Sequence, residues 1–595
     1  METLRDLFEH IVRSAPREKE LLRARAGTGW RIYTTEQFAQ AAQDTAARLA
    51  HAGVGMGDRV VLFCENRPEW HIIDFATHLL GAVLVPLYPT LPASQVHYVV
   101  ADCGTNLLLV SGKDRASIAL EAVRDLPPVQ VLGIDPALAP GLRSMADLLL
   151  PVGARAPMAP RRTSADLASI IYTSGTTGVP KGVMLSHRNF ISQIETIRSL
   201  FPITARDLVM SFLPLCHVYE RIMDYVFLYF GCQITYIDPP ERVVGMLTLV
   251  RPTIMGSFPR LFERGYVQIL SKIRHESPLR QKLFAWAVRV GRQVREAVWQ
   301  NRPAPLFARL QYAVARKVIF SKILARFGGR LRFTVSGGAP IAREIAELFD
   351  IVGLPVLNGY GLTESSPTIA VNRLERNRLG SVGLPLPGVE VRIAPDGEVL
   401  ARGANIMLGY WNNPSASAEA VDPEGWLHTG DIGYLDAEGF LFITDRKKDL
   451  IVTAGGKNVA PQPIESRLVA SPLIAQAVAV GDRYPYLTAL IVPNFESLEA
   501  YLAEQGVNEA DRAAMAAHPA TEAFIAAAVQ GVNQDLAAYE RIRRFTVLPR
   551  EFSQEDGEIT PTLKVRRRVV AERYREVIEQ MYAKTHRTTD YRLDD

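Results

Sequence analysis

Cysteine is scarce in this chain. Cys64, Cys103, Cys216 and Cys232 are the four among 595 residues, and they form neither a C-x-x-C pair nor a metal-ligand spacing. That argues against a disulfide scaffold, a thioredoxin-like redox motif and a zinc finger, and leads to the expectation of a reduced, cytoplasmic protein. Long apolar runs are lacking too. The longest, residues 79–88, is about half a membrane span and contains Pro86, so no segment is expected to cross a bilayer. The first residues carry Glu2 and Asp6 and no apolar core, so no secretory signal is expected there. Internal repeats, heptad arrays and low-complexity tracts are also missing, which disfavours solenoids and coiled coils.

What is present is ordinary globular material, 48% hydrophobic and 22% charged, in a chain long enough for several domains or one large domain with appendages. From about residue 57, short β-rich runs (60–63, 82–85, 107–110, 129–132) alternate with amphipathic stretches (69–80, 94–101). The pattern resumes at 212–213, 233–237 and 331–335. Such alternation predicts a mostly parallel sheet with helices on both faces. Residues 380–445 differ, with short alternating runs (389–393, 398–401, 440–443) between Gly, Pro and Asp turns. They predict a small β-rich or barrel-like subdomain. Beyond Asp449 a compact α+β unit is expected, with strands at 477–480 and 488–492 and a long alanine-rich helical stretch at about 496–540.

The net charge of +4 hides an asymmetry: residues 260–332 hold 17 Lys/Arg against 3 Asp/Glu, a net +14, leaving −10 for the rest. A segment of that kind is either a solvated helical face or a surface for anionic partners. Apolar residues interleave with the charges (Phe284, Trp286, Leu306, Phe307, Leu310), which suits amphipathic helices at an anionic membrane surface. No nucleic-acid-binding module accompanies it, so nucleic acid is not expected as a partner.

The most informative stretch is residues 172–189. It follows an apolar run at 168–171, precedes a predicted helix, and holds Thr173, Ser174, Gly175, Thr176, Thr177, Gly178 and Lys181. Glycines let backbone N–H groups curl into an anion-binding concavity, hydroxyls add donors, and lysine adds a point charge. The alternatives are a triphosphate cradle and a Gly/Thr surface turn. A Walker A loop is excluded, because Lys181 follows Pro180 and no Ser or Thr comes after it. In residues 358–367, Tyr360 lies between two glycines and offers a flat face to a purine or to the core. Thr363 offers a hydroxyl, and Glu364 a hard oxygen suited to Mg²⁺. Asp431 follows a tight turn, a common placement for a carboxylate that binds ribose hydroxyls. Residues 445–449 are five consecutive charges at a composition boundary, and Lys564 sits in a Pro/Thr turn before a basic helix.

These five motifs, in this order and spacing, resemble the AMP-forming acyl-CoA synthetases, an adenylating superfamily that includes luciferases and nonribosomal adenylation domains. The resemblance runs from about residue 30 to 580. Residues 213–221, 258–263, 336–340 and 380–390 are similar to the long-chain fatty acyl-CoA synthetase branch. The implied fold is α/β: a large N-terminal domain, 1–447, of parallel α/β sheets plus a β-rich subdomain, and a small mobile α+β C-terminal domain, 448–595, hinged at Lys448. The implied partners are ATP, Mg²⁺, CoA and a medium-to-long fatty acid.

The roles implied by that resemblance are specific. Thr173 to Lys181 would hold the β- and γ-phosphates. Thr363 would meet the α-phosphate, Glu364 the Mg²⁺ and Tyr360 the adenine, with Gly337, Gly338 and Ala339 walling the purine. Asp431 would take the ribose hydroxyls, helped by Arg446. Lys564 would bridge carboxylate and α-phosphate during adenylation. After a domain swing, Gly455 would leave room for the pantetheine arm. Gly361, where acetyl-CoA synthetases carry Trp, would leave an acyl pocket open, and His217 would either gate that pocket or serve the structure. An enzyme that stops at the adenylate, or one that loads a carrier protein, is the nearest rival; a membrane-associated nucleotide-binding scaffold is the non-enzymatic one.

Overall fold

The computed structural model describes residues 1–148, 160–174, 179–300, 302–339, 341–560 and 565–583. Two large sheets organise the first 410 residues. In the nine-stranded sheet, Glu20–Ala26, Gln233–Tyr236, Leu208–Ser211, Ile254–Ser257, Phe333–Ser336 and Val356–Gly361 run parallel to their neighbours. Antiparallel strands flank this parallel set, Gly29–Thr34 at one edge and Thr368–Val371 with Leu384–Pro385 at the other. In the seven-stranded sheet, Gln130–Gly133, Leu107–Val110, Arg59–Phe63, Val83–Leu87 and Leu167–Ser174 are parallel. Pro180–Ser186 and Gly409–Tyr410 add an antiparallel edge. The parallel strands read as unbroken apolar runs because helices cover both faces, and Val60, Leu62, Leu84 and Leu109 are fully buried.

A buried polar cluster ties the helices of the two sheets together. Arg221 of helix Val218–Tyr229 donates to Asp74 of helix Pro68–Leu79 (2.5 Å) and to Ser169 Oγ (2.8 Å) on the strand leading into the Gly/Thr stretch. Tyr225 donates to the other Asp74 oxygen at 2.5 Å. Burial by itself would raise the Asp74 pKa, but the Arg221 charge and bonds from His71 and His78 outweigh it and hold the carboxyl well below its usual range.

Residues 389–446 form an open four-stranded antiparallel sheet (Val389–Ile393, Glu398–Gly403, Leu427–Leu435, Leu441–Arg446) rather than a barrel. Beyond it stand a two-stranded ribbon, Ile451–Val452 with Asn458–Val459, and a three-stranded sheet, Ile474–Val480, Leu487–Pro493 and Ile542–Val547. Asp445 meets this later unit by accepting from Gln462 N (3.2 Å) near the start of helix Pro461–Val469. His275 meets it through Glu504 at 3.2 Å.

Three expectations are corrected. The strand foreseen at 212–213 lies one step earlier, at Leu208–Ser211, because the Glu220 carboxylate takes the Phe212 N–H (3.1 Å) that would continue the ladder. The long helix at about 496–540 is three helices, Phe495–Glu504, Arg512–Ala517 and Pro519–Gln534, broken where Gly506 takes φ +77° and where Pro519 starts a new first turn. The Lys181 side of the Gly/Thr stretch is a strand that only then enters helix His187–Leu200, since Val183 and Leu185 face the core alternately.

Candidate active site

The Gly/Thr stretch is the turn of a hairpin. Strands Leu167–Ser174 and Pro180–Ser186 pair antiparallel, with Thr173 opposite Lys181 and Ser174 opposite Pro180. Gly175, Thr176, Thr177 and Gly178, which would form the cradle itself, lie outside the described residues. The hairpin base is tightly built: a Cβ on Gly182 would come within 2.8 Å of Ile170, 3.1 Å of Tyr172 and 3.2 Å of Trp411. The glycine after Lys181 therefore has a packing reason.

Next to this hairpin runs Gly409–Tyr410, with Tyr410 registered on Val183. The Lys181 ammonium stands 4.9 Å from the centre of the Tyr410 ring. The Tyr410 hydroxyl donates to Glu364 Oε1 at 2.8 Å. Burial first, and the Glu364 charge second, push that phenol far above its ordinary value, so it stays a donor. One side chain thus ties the lysine of the first motif to the carboxylate of the second. Glu364 sits on the 3₁₀ turn Thr363–Ser365, which Met407 N anchors by donating to the Glu364 carbonyl (2.9 Å). Thr363 is buried in the same turn.

The second and third motifs meet a few residues away. Tyr360 donates its hydroxyl to Asp431 Oδ2 at 2.7 Å, and Arg446 Nε donates to Asp431 Oδ1 at 3.0 Å. Asp431 and Arg446 are opposite each other in the four-stranded sheet. Burial, then the Asp431 charge, raise the Tyr360 hydroxyl well above its normal range. Asp431 keeps acceptor capacity beyond these two bonds, since a carboxylate has about four lone-pair positions. The turn Gly337–Ala339 follows strand Phe333–Ser336, whose Ser336 pairs with Asn358 beside Tyr360. Gly338 takes φ +81° and lies against Phe258, where a Cβ would reach 3.0 Å. Ala339 is exposed at that turn. Thr173, the Gly337–Ala339 turn, Tyr360 and Glu364 lie at or just beyond the carboxyl ends of parallel strands, where open α/β sheets bind ligands, while Lys181, Tyr410, Asp431 and Arg446 come from antiparallel strands.

Other expected residues are placed less directly. His217 is the N-cap of helix Val218–Tyr229, its Nδ1 accepting from Tyr219 N at 3.2 Å, a structural task in its own right. Gly361 has a packing reason distinct from any pocket: a Cβ there would lie 1.6 Å from the Pro367 carbonyl oxygen, inside the bulged pairing with Thr368. Gly455 is in the turn of the two-stranded ribbon, and among the described residues a Cβ there would meet only Thr453 Oγ1 at 4.0 Å. Lys564 lies outside the described residues. Among the described residues no cluster of three or more His, Cys, Asp or Glu could hold a metal ion by protein ligands alone. A single hard carboxylate such as Glu364 does fit Mg²⁺, which usually takes one or two carboxylates together with substrate phosphates.

Tyr410 was missed in the sequence. Its only signal is a glycine-flanked aromatic, Gly409 before Tyr410 and Trp411, like the one around Tyr360, and it lies outside the quoted motifs.

An α/β crevice in which lysine, carboxylates and aromatics converge at strand ends is the architecture of a nucleotide-handling enzyme. Residues 8–411 match the model of the AMP-binding enzyme family, and residues 448–586 match that of the AMP-binding enzyme C-terminal domain. The chain belongs to this family, in its adenylate-forming acyl-CoA synthetase group. It is 37% identical over 565 residues, 93% of each chain, to the long-chain-fatty-acid–CoA ligase FadD15 of Mycobacterium bovis. To the peroxisomal long chain acyl-CoA synthetase 6 of Arabidopsis thaliana it is 31% identical, across 98% of this chain and 86% of the relative. Among solved structures, the adenylation domain of a Mycobacterium chelonae carboxylate reductase superposes with TM-score 0.78 at 22% identity, covering 98% of this chain and 91% of that one. ATP-bound MatB from Rhodopseudomonas palustris gives 0.70 at 23%, covering 96% and 99%. These two likenesses speak for the fold.

Proposed function

We propose that this protein is an ATP-dependent fatty acid:CoA ligase of medium-to-long chain preference. The observation that supports it most is full-length similarity to long-chain-fatty-acid–CoA ligases, joined to the Lys181–Tyr410–Glu364 and Tyr360–Asp431–Arg446 clusters. The fatty carboxylate attacks the α-phosphorus of ATP, giving acyl-adenylate and pyrophosphate. The CoA thiol then attacks the acyl carbonyl, and AMP leaves.

The first step depends on positioning and charge, because the phosphoryl centre carries the covalent chemistry itself. In this reading Thr173 to Lys181 hold the β- and γ-phosphates, and Lys181 steadies the leaving pyrophosphate. Thr363 donates to the α-phosphate, while Glu364 is the ligand for the Mg²⁺ that travels with ATP and neutralises phosphate charge. Tyr360, its hydroxyl anchored on Asp431, offers its ring to adenine beside Gly338 and Ala339. Asp431 accepts from the ribose hydroxyls with Arg446 holding its orientation. Lys564 bridges the two reacting groups. His217 would shape or gate the entrance of the acyl pocket that Gly361 leaves open, a role additional to the packing reason that glycine already has.

Residues 1–447 and 448–595 act as two domains, and rotation at Lys448 replaces Lys564 by the Gly455 turn for the second step. Among the described residues nothing around Gly455 calls for glycine, which supports a role in another arrangement of the domains. The same reading includes peripheral contact with an anionic membrane, for which the +14 segment is the support. Among the described residues no helix is long and apolar enough to cross one. ATP–pyrophosphate exchange over a panel of carboxylates, repeated with CoA as acceptor, tests the reading. Exchange with fatty acids followed by thioester is expected. Absence of exchange with every fatty acid refutes the substrate class, and exchange without thioester favours an adenylate-only or carrier-loading enzyme.

A further inference from the structure

Helix Leu306–Ala315 and the π turn Arg316–Phe320 that extends it invert the usual surface pattern. Their buried contacts are made by Ala308, Ala315 and Phe320. Tyr312 and Ile319 are half-buried against the core, but five other large side chains point outward: Leu306, Phe307, Leu310, Val314 and Val318 are 55% to 72% exposed. At 3.6 residues per turn these five positions fall within about one third of the helix circumference, opposite the alanines. Scattered exposed hydrophobics need no explanation, but five on one helical face form a patch.

The charge around the patch is one-sided. Between Glu296 and Glu344 the sequence contains no acidic residue. Arg309, Lys317, Lys322 and Arg326 are exposed on this helix and the following Ser321–Arg326. The neighbouring helix Pro278–Trp299 is different, since its Arg292 and Arg295 are neutralised by Glu347 (2.5 Å) and Asp350 (2.6 Å). Those ion pairs fasten the hairpin to helix Arg343–Val352 and leave the outer helix as the surface with the fewest acids, Glu276 being the carboxylate that Lys322 senses.

We propose that Leu306–Phe320 is a membrane-insertion helix whose occupant is the interfacial layer of an anionic bilayer, the exposed apolar face entering among the lipid chains while the flanking cations meet the headgroups. The pairing of apolar face and basic rim selects this occupant. A symmetric dimer would place the acid-free stretch against itself, and a nucleic acid would set five apolar side chains against phosphates. The proposal deepens the ligase reading, because it names the surface from which a fatty acid would be drawn, and it rests on that reading only for this purpose.

The test is sedimentation of the full chain with vesicles of phosphatidylcholine, alone or with about one third phosphatidylglycerol. It is run with wild type, a Phe307→Asp/Leu310→Asp double variant and Phe307→Trp as an emission reporter. Wild type should bind the anionic vesicles. The double variant should bind at least about tenfold more weakly. Phe307→Trp should gain blue-shifted emission over wild type, quenched by brominated acyl chains. No wild-type binding, or binding without blue shift or quenching, overturns insertion. So does a dimer that the double variant dissociates, which would assign the patch to a second copy. ATP–pyrophosphate exchange over a panel of medium-to-long fatty acids, run without vesicles, should be equal in all three proteins. If it is absent in wild type, the ligase reading fails while the vesicle result still decides the helix.

Discussion

The nucleotide crevice and the outer helix hairpin handle polarity in opposite ways. In the crevice the carboxylates point inward and are partnered: Asp431 by Tyr360 and Arg446, Glu364 by Tyr410, and Asp74 in the interior by Arg221 and Tyr225, whereas the buried Ser336 Oγ and Asn358 Oδ1 have no partner among the described residues. On the helix Leu306–Ala315 apolar groups point outward and the cations have no acid nearby in sequence. The difference shows where each region finds its stabilising partner. The crevice carboxylates find theirs within the fold, whereas the outer apolar face would find its own in the bilayer proposed above.

The sharpest way to break the comparison is to unpair an interior charge. Arg221→Met leaves Asp74 buried without its cation and should destabilise the chain by about 3–5 kcal/mol. Urea midpoints measure this, and a loss no larger than for an exposed cation such as Lys322→Ala would show the cluster is not a staple. Next in size, Lys564→Ala should slow adenylation by about 10²–10³ while leaving CoA attack on supplied acyl-adenylate intact. Equal loss of both partial rates would remove it from the first step. Tyr410→Phe keeps the ring under Lys181 and deletes the bond to Glu364. It should cost about tenfold in ATP–pyrophosphate exchange, with a matching shift in the Mg²⁺ dependence of nucleotide binding. An unchanged binding curve would reduce Tyr410 to packing.

The most gradual effect, spread over several pH units, concerns His187. His187 is buried, accepts from Leu4 N through Nδ1 (3.2 Å), and burial with His78 and Arg162 nearby lowers it from 6.5 to about 3. Between those values the unfolded chain binds a proton that the folded chain does not. Stability should therefore fall as pH drops from 6.5 toward 3, by at most ~1.4 kcal/mol per pH unit from this group. His187→Gln should flatten that part of the urea-midpoint profile, and an unaltered slope would assign the acid sensitivity elsewhere.

Much of this was legible in the chain. The parallel strands at 60–63 and 107–110 could be seen as apolar runs because both of their faces are covered. The crevice residues could be seen because adenylating chemistry needs glycines, hydroxyls, a lysine and carboxylates in order. The strand at Pro180–Ser186 was less visible, since its periodicity is short and a helix follows at once. Tyr410 escaped because its work depends on a strand pairing more than 200 residues away in sequence, which no local pattern records.

The sequence by itself determined the family, the order of the motifs and the +14 imbalance of residues 260–332, because composition and spacing are local properties. Only the tertiary structure decided which groups share a bond and which face of a helix meets water. Lys181, Tyr410 and Glu364 become neighbours through sheet pairing, and Leu306, Phe307, Leu310, Val314 and Val318 become a surface because Ala308, Tyr312, Ala315 and Phe320 fill the inner face. Hydrogen bonds and burial depend on distance in space, and the chain sets that distance only after it has folded.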